Sequence, residues 1–360
     1  MRYNALSKQI KNDLKELSEV IGVSSREERV VEVIKKKVEA FADEMRTDNL
    51  GNLIVTLKGT KKDGPVLMLD AHTDEIGLMV RHITPDGFIY FAKVGGFVDL
   101  IFPSQTVIFV PDNKELKPVY GVIGIKPPHL MSPEARKSVP VAENLAIDIG
   151  AYSEKEVRSL GIDVGTTGTL VGEFRELAGD RVLGKAFDDR TGCVVLIETL
   201  RRLHKHRPEG TIVFSFSSAE EVGGRGATTA AYSIEPDIAL ALENTTAADT
   251  PGVPGQDCPC KLDGGPAITV ADRSLIVNSK LLEKLKVLAN KNNIPWQYKK
   301  PIYGGTDAGR IHIVRAGIPA GVVSVPCRYI HSPISLLSLK DITRTCDLVE
   351  LFAKHFHELL

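Results

Sequence analysis

Between residues 76 and 176 the sequence changes texture, and this change limits what the chain can fold into. On either side, strand-like runs alternate with amphipathic helical segments. The strand-like runs include "NLIVTLKG", "PVLMLDAH", "RVLGKAF", "TIVFSFSS", "DIALALE" and "GVVSVP". The helical segments include "RTGCVVLIETLRRLHKH", "GRGATTAAYSI", "SKLLEKLKVLANKN" and "LKDITRTCDLVELFAKHFHELL". Such alternation predicts an α/β sandwich around a mixed, mostly parallel sheet. Inside the window the runs are short and punctuated by turns, as in "IGLMVRHITPDGFIYFAKVGG", where "PDG" marks a hairpin. Short strands of this kind suggest a barrel or small sandwich, with one helical piece, "SEKEVRSLG". The expected layout is an α/β/α domain built from 1–75 and 177–360 and interrupted by a β-rich, barrel-like insertion over 76–176. Ahead of the helical run after "SSREE", Ser25 followed by Glu28 predicts a capping box.

Composition narrows the functional classes. The net charge is -1 and shows no basic stripe, which argues against nucleic acid as a partner. No apolar run approaches the length of a membrane span. The first residues lack the apolar core of a signal peptide, so a cytoplasmic protein is expected. Five scattered cysteines suit reduced thiols, and Cys258 and Cys260 in "CPC" read as a loop with two free thiols.

The chemistry lies at the strand ends. In open α/β sheets, sites form at the carboxyl ends of strands. "PVLMLDAHTDE" delivers His72 and Asp74, and "RVLGKAFDDR" delivers Asp188 and Asp189. "TIVFSFSSAEE" delivers Glu220 and Glu221, "DIALALE" delivers Glu243, and His331 follows "GVVSVPCRYI". One charged residue at a strand end is ordinary, because the chain is leaving the core there. Five strands that all end this way, two of them in histidine, point to divalent zinc, cobalt or manganese. Asp188, Glu221 and Glu243 offset most of the charge of two such ions and leave Glu220 free as a general base. The other histidines read otherwise: His204, His206, His355 and His357 as helix surface, His129 and His312 as structural. Asp249 reads as stabilising its own turn. Asp307, in "GGTDAG", either lines a substrate pocket or belongs to a plain turn.

Six ordered motifs carry a resemblance over nearly the whole chain: "HTDEIG", "FDDRTGC", "EEVGGRGA", "ADTPG", "GGTDAG" and "RYIHSP". They resemble the tetrahedral co-catalytic metallo-aminopeptidases, a family with glutamyl and deblocking aminopeptidases and some members labelled endoglucanase. The resemblance implies that Asp188 bridges two metal ions. It also implies that His72 and Glu243 complete one ion and Glu221 and His331 the other. Glu220 would act as general base on a water shared by the ions, and Asp74 would orient His72. Glu243 departs from the aspartate common at its position. The implied activity is removal of N-terminal residues from peptides. The insertion would be a dimerisation domain, with dimers assembling into a hollow twelve-subunit tetrahedron. Two other readings explain less. A metal-independent glycoside hydrolase needs two carboxylates and leaves both histidines unused, and a single tryptophan offers little for stacking sugars. A non-catalytic metal-binding scaffold leaves the spare base without a task.

Overall fold

The computed structural model describes residues 2–113, 115–300 and 304–360. An eleven-stranded mixed sheet forms the main body, and a closed six-stranded barrel is inserted into it. At the centre of the sheet, Thr211–Ser217, Val66–His72, Ile238–Thr246 and Ala320–Arg328 lie side by side and parallel. Antiparallel strands flank them: Leu53–Leu57 and Glu44–Thr47 at one edge, Ser335–Ser338, Arg181–Gly184 and Arg175–Glu176 at the other. The central strands are almost wholly buried, so their sequences run apolar rather than alternating.

The helix Phe187–Lys205 is buried along most of its length and packs against Arg2–Glu19, Leu339–His355 and the central strands. Arg225–Ile234 packs with Ala308–Ile311 and also lies on the sheet. These helices and the sheet share one apolar core. The mixed sheet with packed helices and the barrel insertion agree with the expected fold class.

The barrel strands run from Gly77–Ile83 to Thr167–Leu170, all paired antiparallel, around a separate core that includes Phe91, Phe102 and Phe109. Arg175–Glu176, just beyond, already pairs within the large sheet.

Two local expectations need correction. No capping box forms at Ser25. Its φ is +65°, and the helix Glu28–Val38 starts from Glu27 with no side-chain cap. Ser25 lies two residues ahead of the cap position in a left-handed conformation, and its N–H donates to Glu27 Oε1, so its hydroxyl is not placed to cap. Asp249 does not close its own turn. It forms a two-pronged ion pair with Arg328, at 2.9 and 2.7 Å, because the last residue of a core strand lies beside it. All five cysteines are free and buried. No described helix is long and apolar enough to cross a membrane.

Candidate metal centre

Because the four central strands are parallel, their carboxyl ends open on one side of the sheet. Val66–His72 ends in His72 itself, Ile238–Thr246 carries Glu243 near its end, and Thr211–Ser217 leads into the Glu220–Glu221 turn. Asp188 stands at the irregular start of the Phe187–Lys205 helix, where the Asp188–Asp189 peptide is cis. His331 sits on the loop after Ala320–Arg328, with φ +57°.

These side chains converge on the floor of a cleft of about 830 Å³. His72 Nε2 lies 3.4 Å from Asp188 Oδ1 and 3.9 Å from Glu243 Oε2. His331 Nε2 lies 3.2 Å from Asp188 Oδ2 and 3.5 Å from Glu221 Oε1. The two Asp188 oxygens thus face two different donor groups: His72 with Glu243, and His331 with Glu221. Each group of three has ligand atoms close enough to hold one ion. Glu220 lies 3.9 Å from His72 Nε2, and with His72 and Glu221 it forms a third set of donors close enough to hold an ion.

Charge and orphaned atoms test whether this donor set suits divalent ions. Burial, against the pull of His72, pushes the Glu220 carboxyl up to about 7. Burial likewise pushes Glu221 up to about 8, against His331. Glu243 is driven well above the carboxylate range by burial and the nearby Asp189. Burial would raise Asp188 too, but hydrogen bonds from His331 and His72 outweigh it and hold that carboxyl far below the usual range. Four carboxyls so crowded and desolvated are costly without cations. Glu221 Oε1 is buried with no hydrogen-bond partner. Two imidazoles, four carboxyls and an orphaned oxygen make a set that divalent zinc, cobalt or manganese fits.

The surroundings fix these groups in place. Asp74 Oδ1 and the Asp74 carbonyl both lie 3.2 Å from His72 Nδ1, so that nitrogen donates, and Nε2, turned to the cleft, is the one that would give its lone pair to an ion bound there. The same carboxylate accepts the N–H of Glu220 and of Glu221, and the hydroxyl of Ser24. Ala219, in a left-handed conformation, donates its N–H to Glu27 Oε1 at 3.0 Å. Three consecutive N–H groups of the turn are therefore held by two carboxylates from other parts of the chain. Gly223 and Gly224 then turn back onto the Glu220 carbonyl. A Cβ on Gly224 would lie 2.4 Å from Arg310 Cγ. The barrel domain also reaches the site. A Cβ on Gly95 would press against Glu221 Oε2, and one on Gly96 against His331 Nδ1.

The "GGTDAG" loop lines the cleft through Gly304, Gly305, Thr306 and Gly309. Asp307 itself is buried beneath. Its N–H donates to Glu243 Oε1 at 3.0 Å, and its carboxylate accepts from Ser217 Oγ. His312, read as structural, also lines the cleft, with Nδ1 3.2 Å from the Ala308 carbonyl.

Two buried residues near the site escaped the sequence reading. Glu75, which received no role, accepts from buried Lys185 with both oxygens at 2.8 Å, and from Gly22 N–H and Thr169 Oγ. Glu27 was submerged in a charged run. Neither carries a sequence signal beyond its charge.

Comparison with known proteins identifies relatives over nearly the whole chain. Residues 51–348 match the M42 glutamyl aminopeptidase family. A lysyl aminopeptidase of Pyrococcus furiosus is 33% identical, over 94% of each chain. An aminopeptidase from Desulfurococcus kamchatkensis superposes with a TM-score of 0.92 at 36% identity, covering 97% of this chain and 95% of its own. The TET1 peptidase of Pyrococcus horikoshii, described as assembling into a tetrahedron or a large octahedral shell, matches at 0.85 and 35%, over 96% and 99%. A Thermotoga maritima protein titled endoglucanase shares the fold at 0.78 and 34%, over 96% and 98%. The chain belongs to the M42 glutamyl aminopeptidase family.

Proposed function

We propose that this chain is a two-metal aminopeptidase that removes residues from the free N-terminus of peptides, with Glu220 as its general base. The observation that carries this reading is the two-sided placement of Asp188 between His72 with Glu243 and His331 with Glu221. His72, Glu243 and Asp188 would hold one ion, and His331, Glu221 and Asp188 the other. Bound there, two divalent ions polarise the scissile carbonyl and make water more acidic.

The residues of the chain do the rest. Glu220 faces the same cleft but is spare once the two ligand groups are formed. It would take a proton from the attacking water and return it to the leaving amine as the C–N bond breaks. Asp74 keeps His72 in the tautomer whose Nε2 is unprotonated, and it holds the turn that carries Glu220 and Glu221. Asp307 fixes one oxygen of Glu243 through its N–H and leaves the other, Oε2, facing His72. The longer glutamate at this position is thereby held through one carboxylate oxygen.

The barrel would supply the surface for pairing subunits, and likeness to peptidases described as a dodecamer and as a tetrahedron or octahedral shell supports a homo-oligomer, up to a dodecamer built from dimers. The metal identity is an availability question among zinc, cobalt and manganese.

The test is a panel of aminoacyl-p-nitroanilides, assayed after EDTA and again after cobalt, zinc or manganese is restored. Loss in EDTA with recovery on metal supports the reading. Metal-independent cellulose hydrolysis with no action on the panel contradicts it.

A further inference from the structure

The turn that carries Glu220 and Glu221 has a closed neck outside the cleft. Ser218 and Gly226 bound the turn, and its ends meet: Gly226 N–H donates to the Ser218 carbonyl at 2.9 Å, and Arg225 N–H to that of Ala219 at 3.3 Å. At the far end Glu220, Glu221, Gly223 and Gly224 line the cleft. The neck lies against Asn52, a fully buried residue just ahead of the strand Leu53–Leu57. Leu53 is opposite Phe216, so Asn52 continues the ladder to the point where Thr211–Ser217 ends.

One amide of Asn52 holds both ends of the turn. Its Oδ1 accepts the Ser218 N–H at 2.8 Å, and its Nδ2 lies 3.0 Å from the Gly226 carbonyl. The amide is not free to rotate. Asp48 Oδ2 accepts from Nδ2 at 2.6 Å, which turns the oxygen toward Ser218. The second Nδ2 hydrogen is shared between the Gly226 carbonyl and Thr229 Oγ1, both at 3.0 Å. Asp48 is itself fixed, because its other oxygen accepts the N–H groups of Leu50 and Asn52. The fit is close: a Cβ on Gly226 would lie 2.2 Å from Asn52 Oδ1. With Glu27 at Ala219 and Asp74 at Glu220 and Glu221, all four successive N–H groups from Ser218 to Glu221 end on buried side-chain acceptors. A backbone fixed in this way passes its position on to the side chains it carries, and a small displacement of a reacting group costs rate.

We propose that Asn52 is a positioning residue for hydrolysis. It sets where Glu220 and Glu221 stand by clamping the neck of their turn, in an orientation imposed by Asp48. Asn52 is not part of the cleft lining, so it acts through the turn and not on the substrate. The proposal rests on the roles given above to Glu220 and Glu221.

Asn52→Asp keeps the acceptor for Ser218 but turns a carboxylate toward Asp48 and the Gly226 carbonyl. Adding Asp48→Asn returns an N–H between the two side chains. Wild type, Asn52→Asp and the double variant are loaded with cobalt and assayed on the best of the aminoacyl-p-nitroanilides. Hydrogen exchange of residues 218–226 is followed by mass spectrometry on the same proteins without metal. For Asn52→Asp, kcat should fall roughly ten- to a hundred-fold with KM within about threefold of wild type. Exchange in the turn should quicken by about tenfold or more. The double variant should recover part of both. Asp48→Asn alone sets two N–H donors face to face and should show the same loss, so it is measured instead where Asn52→Asp does not fold. A lower melting temperature with kcat and exchange at wild-type values assigns Asn52 to the fold alone and overturns the proposal, as does a double variant no better than Asn52→Asp. If wild type hydrolyses none of the anilides, the aminopeptidase reading fails on its own. The exchange comparison then decides the clamp: faster exchange that the double variant partly reverses supports it, and equal exchange overturns it.

Discussion

Asp74 Oδ1 accepts the backbone N–H of Glu220 at 2.9 Å. These residues are far apart in sequence, yet the contact joins the end of one central strand to the turn after its neighbour. The other Asp74 oxygen takes the N–H of Glu221, and the carboxylate also faces His72. One buried side chain therefore sets the position of a candidate ligand, a second ligand and the candidate base.

Replacing Asp74 by asparagine keeps the shape and removes the charge. One amide position then presents N–H groups to a backbone donor. Metal affinity should fall about 10- to 100-fold, the scale seen when a carboxylate behind a metal-binding histidine is lost. Equilibrium dialysis against zinc measures this, and unchanged affinity contradicts the role given to Asp74.

Glu27 supports the same turn from the other side. Glu27→Ala strands the N–H groups of Ser25 and Ala219, both held by Glu27 Oε1. The expected cost is about 1–3 kcal/mol, with a lower kcat. Glu27→Gln keeps an acceptor and should recover most of both. Thermal melts and kinetics on the three proteins check it, and equal behaviour of the two variants counts against the account.

The charge of Glu27 gives a pH dependence. Burial and the nearby Asp74 carboxylate push its carboxyl up to about 7, against the hydrogen bonds it accepts. The folded state thus binds the proton more tightly than the unfolded chain. The associated stability is fully present below the ordinary glutamate range and is lost as pH rises through about 7. Between pH 5 and 8, then, Glu27→Gln should gain stability relative to wild type (roughly the window set by the two pKa values). Denaturant midpoints at several pH values measure the slope, and a parallel pair of curves contradicts it.

Glu75 ties the two domains together. It pairs with buried Lys185 beside the large sheet and accepts from Thr169 in a barrel strand. Glu75→Ala leaves Lys185 buried and unpaired, at an expected cost of about 3–5 kcal/mol. Denaturant unfolding measures the loss, and a change below 1 kcal/mol (roughly the scale of a surface pair) contradicts it.

The contrast between these residues shows where sequence is informative. Buried parallel strands write themselves as apolar runs, and turn signals close them. The strand ends bearing His72, Glu220, Glu221 and Glu243 were readable for that reason, and so was the break into short strands after Ile76. Hydrogen bonds from a side chain to a distant backbone leave no such pattern. Glu27 sits in "SSREE", where the same letters suggest a cap at Ser25. Glu75 follows Asp74 as one more acid at a strand end. Asp307 could be assigned to a loop but not to a level within it, because that depends on how the loop packs over Ser217.

The central claim is that Glu220 moves the proton while its neighbour Glu221 holds a metal ion, and Glu220→Gln tests it most directly. Turnover of a good aminoacyl-p-nitroanilide should fall by about 10²–10⁴, the contribution of a positioned general base. Two ions per chain should still bind, as measured by calorimetry and elemental analysis. Hydrolysis at the wild-type rate, or loss of one ion together with activity, would contradict that division of labour.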